Sequence, residues 1–329
     1  MKDVSQLSED EIIALFNVAA PKPPLLKGIG DDCAVLGPFG DDVLVWTADL
    51  LTEDVHFTRE SSSPADLGYK SMAVNLSDIA AMGAKPVAAV LSIALPPSTS
   101  EEWLRGFRDG FIEATKQFDC PTAGGDTTTA REVIMISVTI LGRTRREHLL
   151  MRDGASPGED IWISGVPGLS ATGFELLSRD MPPSDDAQRT AIERHIRPLP
   201  RIELGYMLGT QQLASAAIDS SDGISQDLHR LCKASGVGAE IEEALIPLSP
   251  EIDEINVAPL EMALHGGEDY QLLFTASPKK REQIATLDDV TRIGTTTAGE
   301  AIVRIKRIDG TVEMVKRGGF QHFRGEDQD

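Results

Sequence analysis

Gly28-Ile29-Gly30-Asp31-Asp32-Cys33-Ala34-Val35, followed by a strand over 43–47 that ends at Asp49, reads as a glycine–aspartate turn between two strands. Toward the N-terminus, the Pro-rich stretch Pro21 to Pro24 leads into this turn. Before it, Ser8 and Glu11 have the spacing of a capping box opening a short helix through Ile12, Ile13, Leu15 and Phe16. Toward the C-terminus, Ser63 and Pro64 supply the N-cap and first residue of a helix that runs to Met82 and stops at Gly83. The pattern then predicts a strand over 87–95, a helix over 101–118, a turn at Gly124-Gly125-Asp126 and a strand over 133–141. After the turn-like composition of 154–160, a strand over 161–164 begins a second unit. That unit carries a loop over 179–188, helical pattern from Ala191 and over 225–235, and a strand over 271–275. The expected class is α/β (α+β): two mixed α/β domains, residues 1–147 and 148–329, each with acid-bearing turns at strand ends.

A chain of 329 residues matches two domains at roughly 150 residues each. With 41 % hydrophobic and 25 % charged residues, a disordered or fibrous protein is disfavoured. Lysine and arginine number 31 against 52 acids, and the net charge of −21 repels nucleic acid and anionic membrane. Any phosphate ligand therefore needs local cations. The apolar runs over 87–95 and 133–141 fall short of the ~20 residues of a membrane helix. Glu9, Asp10 and Glu11 precede the first apolar stretch, where a secretory signal carries positive charge, so the expected compartment is the cytoplasm. Cys33, Cys120 and Cys232 are odd in number and outside any CxxC pattern, which predicts reduced packing residues.

Six aspartates carry the functional argument: Asp32, Asp49, Asp78, Asp126, Asp219 and Asp222. Asp32 and Asp126 follow glycines, where backbone can approach a ligand closely. Asp78 lies three residues after Asn75 on one face of a helix of small and apolar residues. Asp219 and Asp222 bracket Ser220 and Ser221 immediately before a helix N-terminus, which presents free amides to an anion. Each acid alone is compatible with a cap or a turn. If they converge, each pair at ~4 Å repels by about 4 kcal/mol at an effective dielectric near 20, so cations must neutralise them. Oxygen ligands without His or Cys suit Mg²⁺, which bridges to substrate phosphates. No P-loop, dinucleotide fingerprint, protein-kinase signature or HExxH occurs, so a nucleotide would have to use the glycine–aspartate turns themselves.

The segments GIGDDCAV (28–35), TADLLTEDVHF (47–57), YKSMAVNLSDIAAMGAKP (69–86), GGDTT (124–128), IDSSDG (218–223) and GGEDYQLLF (266–274) closely resemble the thiamine-monophosphate kinase family, within the aminoimidazole-ribonucleotide-synthetase-like ATP-binding superfamily. The resemblance spans nearly the whole chain. It implies ATP-dependent phosphorylation of thiamine monophosphate to thiamine diphosphate, and a homodimer whose N-terminal sheets join into a barrel. It also implies a C-terminal sheet covered by helices. By resemblance Asp32, Thr47, Asp49, Asp78, Asp126, Asp219 and Asp222 hold several Mg²⁺ ions, and Gly125, Asp126, Arg152 and Ser221 contact ATP. His56, Glu268 and the aromatic Phe320 contact thiamine monophosphate.

Chemically, Arg152 can fork two donors onto a phosphate, Glu268 and Asp269 can face a cationic thiazolium as an anion pair, and Phe320 can stack on the pyrimidine or the thiazolium ring. The residues alone also allow a surface Arg, a structural His56, a solvated turn at Glu268 and a packing Phe320. The expected reaction has no acid/base residue, because the acceptor phosphate is already ionised. Another ATP-dependent synthetase of the superfamily, such as aminoimidazole ribonucleotide or selenophosphate synthetase, and a non-catalytic nucleotide- or metal-binding protein are the alternatives. A selenophosphate enzyme is expected to carry a reactive Cys in a glycine-rich N-terminal segment, and none precedes Cys33 here. The GGEDY and His56 segments favour the thiamine enzyme, and the non-catalytic reading fits poorly with all six acids present.

Overall fold

The computed structural model describes residues 7–17, 20–248 and 258–319. Ser8 and Glu11 exchange side-chain and backbone hydrogen bonds, so the expected capping box opens α1 (Glu9–Phe16). The turn at 28–33 joins β1 (Leu25–Lys27) to β2 (Ala34–Phe39), which pairs with β3 (Asp42–Thr52). With β4 (Lys85–Leu95), β5 (Thr122–Thr129) and β6 (Met135–Arg145) these form a six-stranded sheet in the order β1-β2-β3-β6-β4-β5. Gly124-Gly125-Asp126 is not the expected turn but the middle of β5, paired in parallel with β4. Four β-branched threonines, Thr122 and Thr127 to Thr129, favour extended backbone there. Both faces of this edge strand are exposed, so it lacks the alternation that marks a strand in sequence.

β3 alternates cleanly. Val43, Val45, Thr47 and Leu51 are buried, whereas Trp46, Ala48 and Leu50 are exposed. The buried face rests on α2 (Pro64–Ala81), where Ser63 caps the first turn by accepting from the Asp66 amide and Gly83 ends the helix in the left-handed conformation, as its sequence predicts. α2 is buried almost all round because it lies between two layers, and α3 (Glu101–Gln117) packs beside it. Full burial of Met72, Leu76 and Ile79 stabilises this centre by about 1.5–3 kcal/mol each.

The second half contains β7 (Asp160–Ser164), α4 (Leu169–Ser178), α5 (Asp186–Ile196), α6 (Ile202–Thr210), β8 (Ala216–Ser220), α7 (Ile224–Ser235) and β9 (Gly238–Glu242). After these come α8 (Pro259–His265), β10 (Gln271–Ala276), α9 (Arg281–Ile284), β11 (Val290–Thr297), β12 (Val303–Lys306) and β13 (Val312–Met314). The expected loop over 179–188 is shorter than its polar composition implied, because Asp185 accepts from the Gln188 amide and starts α5 early.

Seven strands form the order β13-β12-β9-β11-β7-β10-β8. Trp162, Ala217, Leu272 and Phe274 face the core shared with α2, while Ile161, Ile163, Ile218 and Leu273 face a second core with Ile224, Leu228 and Leu231 of α7. The period of two thus puts helices on both faces of this sheet, and the class is mixed α/β as expected. Cys33, Cys120 and Cys232 are buried and unpaired with one another. No helix among the described residues is long and apolar enough to cross a membrane.

Candidate active site

Three of the predicted acids meet between the two sheets. Asp32 comes from the turn before β2, Asp78 from the last turn of α2 and Asp219 from β8, and one carboxylate oxygen of each lies within 4.8 Å of the others. Their directions follow from the folding pattern. Asp219 opposes Leu272 across β8 and β10, on the face that packs against α2, and there Ser77 Oγ donates to Asp219 Oδ2 at 2.8 Å. Thr47, on the buried face of β3, donates its hydroxyl to Asp78 Oδ2. The Asp49 amide donates to Asn75 Oδ1 at 2.9 Å, so the Asn75/Asp78 pair on α2 faces the first sheet.

The electrostatics are those of acids crowded without enough counter-charge. Burial first, and then Asp49, Asp219 and Asp32, pushes the Asp78 carboxyl well above its ordinary range. Burial followed by the charge of Asp32 does the same to Asp219. Burial lifts Asp49 to about 6, and burial followed by Asp32 lifts Asp31 to about 6. Arg152 enters the cluster and forks Nε and Nη2 onto Asp32 Oδ1. Asp32 Oδ2 is buried with no hydrogen-bond partner. An orphaned carboxylate oxygen among two more carboxylates, with only oxygen donors converging, fits a hard divalent cation.

Other predicted residues lie around this centre. Asp222 follows β8 and accepts from Arg230 Nη1, outside the close trio. Ser221 accepts through its carbonyl from the Glu268 amide at 2.7 Å. Gly125 and Asp126 are exposed on β5. Asp49 and Gly125 stand in one register row through Val138 and Leu91, three strand spacings or about 14 Å apart, so a single protomer does not bring Asp126 to the trio. A Cβ on Gly125 would stand 1.8 Å from the Leu91 carbonyl oxygen, which is one reason for glycine there.

At the other end of α2, Lys70 Nζ lies 3.1 Å from both carboxylate oxygens of Glu268, and His195 Nδ1 lies 3.4 Å from Oε2. Burial alone would raise the Glu268 carboxyl, but Lys70 and His195, aided by His56, outweigh it and hold it below its ordinary value. His56 Nδ1 accepts from the Thr52 amide at 3.0 Å. Phe320 lies outside the described residues. Asp31, Lys70 and His195 were not singled out from sequence. The available signal for Lys70 was a lone cation in the apolar stretch that carries Asn75 and Asp78.

Comparison with known proteins matches residues 30–144 to the AIR synthase related protein N-terminal domain and residues 156–306 to the corresponding C-terminal domain. The thiamine-monophosphate kinase of Escherichia coli O157:H7 is 38 % identical over 305 residues, covering 90 % of this chain and 91 % of the relative. That of Bacillus subtilis (strain 168) is 33 % identical over 304 residues, covering 90 % and 93 %. Among solved structures, AaThiL complexed with AMPPCP and TMP superposes with a TM-score of 0.88 at 35 % identity, covering 98 % of this chain and 99 % of that one. Identity of 33–38 % sustained over 90 % of the chain, with more than nine-tenths of each relative covered, shows that the chain belongs to the thiamine-monophosphate kinase family.

Proposed function

We propose that this protein transfers the γ-phosphoryl group of ATP to the phosphate of thiamine monophosphate, giving thiamine diphosphate and ADP. The observation that carries the reading is the meeting of Asp32, Asp78 and Asp219 around an unpartnered buried carboxylate oxygen, in a chain whose relatives bear that activity. Asp32, Thr47, Asp49, Asp78 and Asp219 would hold Mg²⁺ ions, with Asp222 beside them. When bound, the ions supply charge neutralisation between the acids and the phosphates. The acceptor phosphate is ionised near neutral pH, so these residues position the reactants in line and no general base is needed.

Arg152 and Ser221 would meet the nucleotide, and Gly125 and Asp126 would join it from β5. Glu268 would face the thiazolium, with His56 and Phe320 beside the rest of the substrate. A homodimer barrel is supported by the exposed outer face of the first sheet, where Trp46 and Leu50 of β3, Val90 of β4 and Met135 of β6 lie on one side. The proposed domain division stays at 1–147 and 148–329, and the proposed compartment is the cytoplasm. Incubation with ATP, Mg²⁺ and either thiamine monophosphate or free thiamine tests the reading. Thiamine diphosphate formed from the monophosphate with one ADP per product supports it; no product, or use of free thiamine alone, overturns it.

A further inference from the structure

Lys70 is almost fully buried, with a side chain 4 % exposed, whereas the Glu268 side chain it pairs with is 27 % exposed. The cation therefore stands behind the carboxylate and leaves its outer lone pairs toward solvent. His195 approaches Glu268 Oε2 from α5 and also lies 3.1 Å from Ser170 Oγ. The backbone around Glu268 is held in a costly shape. Glu268 and Tyr270 both have positive φ, 64° and 50°, and their amides are fixed to the Ser221 and Ser220 carbonyls at 2.7 and 2.8 Å. Between them, Asp269 turns the other way and accepts from the Gly168 and Ser170 amides at the start of α4. The loop is pinned at every residue, and what it presents outward is the Glu268 carboxylate.

From its position on α2, Lys70 also links two functions. Ser77, two helical turns on, anchors Asp219, and Asp78 follows it. Eight residues separate Lys70 from Asp78, about 12 Å of rigid helix between the carboxylate that would meet a cationic ring and the acids that would meet phosphates.

We propose that Lys70 and His195 are positioning residues that hold the Glu268 carboxylate from its buried side in the orientation in which it meets the thiazolium of thiamine monophosphate. This rests on the functional reading above. The charged and titratable groups near Glu268 among the described residues are Lys70 of α2, His195 of α5, His56 after β3, and the adjoining Asp269 and Tyr270. Burial and the Lys70 charge keep His195 uncharged, with its imidazole pushed down to about 4. The positive charge behind Glu268 near neutral pH is thus that of Lys70.

Steady-state kinetics as a function of pH for the wild type, Lys70→Met, Lys70→Arg, His195→Gln, Glu268→Gln and the double variant Lys70→Met/Glu268→Gln test the inference. Lys70→Met is expected to raise KM for thiamine monophosphate about tenfold while KM for ATP stays within about twofold, the scale of one lost charge-assisted hydrogen bond. Without Lys70 the Glu268 carboxyl titrates higher, so the acid limb of kcat/KM for thiamine monophosphate moves to higher pH. Lys70→Arg should restore that limb, His195→Gln should raise the same KM selectively, and the double variant should be no worse than Glu268→Gln alone. Equal losses toward both substrates with an unmoved acid limb, or Lys70→Met kinetics like those of the wild type, would overturn this inference alone. A wild type that turns over no thiamine monophosphate would overturn the functional reading and this inference with it.

Discussion

Asp78→Asn should make the metal-free protein more stable and the enzyme inactive. Carboxylate oxygens of Asp32, Asp78 and Asp219 stand within 4.8 Å of one another, and an ionised pair at that distance repels by about 3 kcal/mol at an effective dielectric near 20. Asp78 takes part in two such pairs. Protonation caps the cost, since Asp78 titrates well above its ordinary range, and Arg152 already offsets part of the charge on Asp32. Asparagine keeps an oxygen for the Thr47 hydroxyl while removing the charge. The net gain at pH 8 should be about 1–3 kcal/mol, or a rise in Tm of a few degrees for a chain of this size. Near pH 4 the gain should vanish, because Asp78 is then neutral in the wild type as well. Scanning calorimetry in EDTA at the two pH values, followed by the same scans with Mg²⁺, reads all of this. A variant less stable than wild type at pH 8 without metal, or one that keeps Mg²⁺-dependent turnover, would refute the reasoning.

Three other predictions concern the same architecture. Asp31 and Asp49 titrate near 6, and burial lifts Asp227 and Asp269 to about 7. The folded state therefore holds more protons than the unfolded chain from pH about 4 to 7, and metal-free stability should fall as pH rises through that window. Protons compete with cations at the acids, so the Mg²⁺-induced rise in Tm should be larger at pH 8 than at pH 5; thermal scans showing the reverse order would contradict the assignment. Gly125→Ala sets a Cβ 1.8 Å from the Leu91 carbonyl oxygen, so β5 must part from β4, with an expected loss of about 1–3 kcal/mol and faster amide exchange over 122–129. Unchanged exchange there would count against the close approach.

Legibility in the sequence followed local chemistry. α1 and α2 are announced by Ser8, Ser63, Pro64 and Gly83, whose capping roles need no distant partner. Glycines at 124 and 125 misled because the close approach of strands at Gly125 demands the same residue as a chain reversal, and because β5 is exposed on both faces. α4 and α6 were not read: their apolar residues are short runs among glycines, and tertiary packing rather than periodicity decides them. The acids behaved likewise. Asp32, Asp78 and Asp219 were recognisable as candidates one at a time, but their meeting depends on α2 lying between two sheets. Lys70 and His195 escaped notice because their meaning resides in Glu268, which is 198 residues from Lys70 and 73 from His195 along the chain.

The central claim is that acids from both halves of the chain jointly bind a divalent cation. A crystal soaked in Mn²⁺, with data collected at a wavelength where manganese scatters anomalously, tests it directly. The account predicts an anomalous peak at bonding distance from carboxylate oxygens of Asp32, Asp78 and Asp219, lost in the Asp78→Asn protein. An enzyme that needs the metal for turnover but shows no peak between those three residues would contradict it.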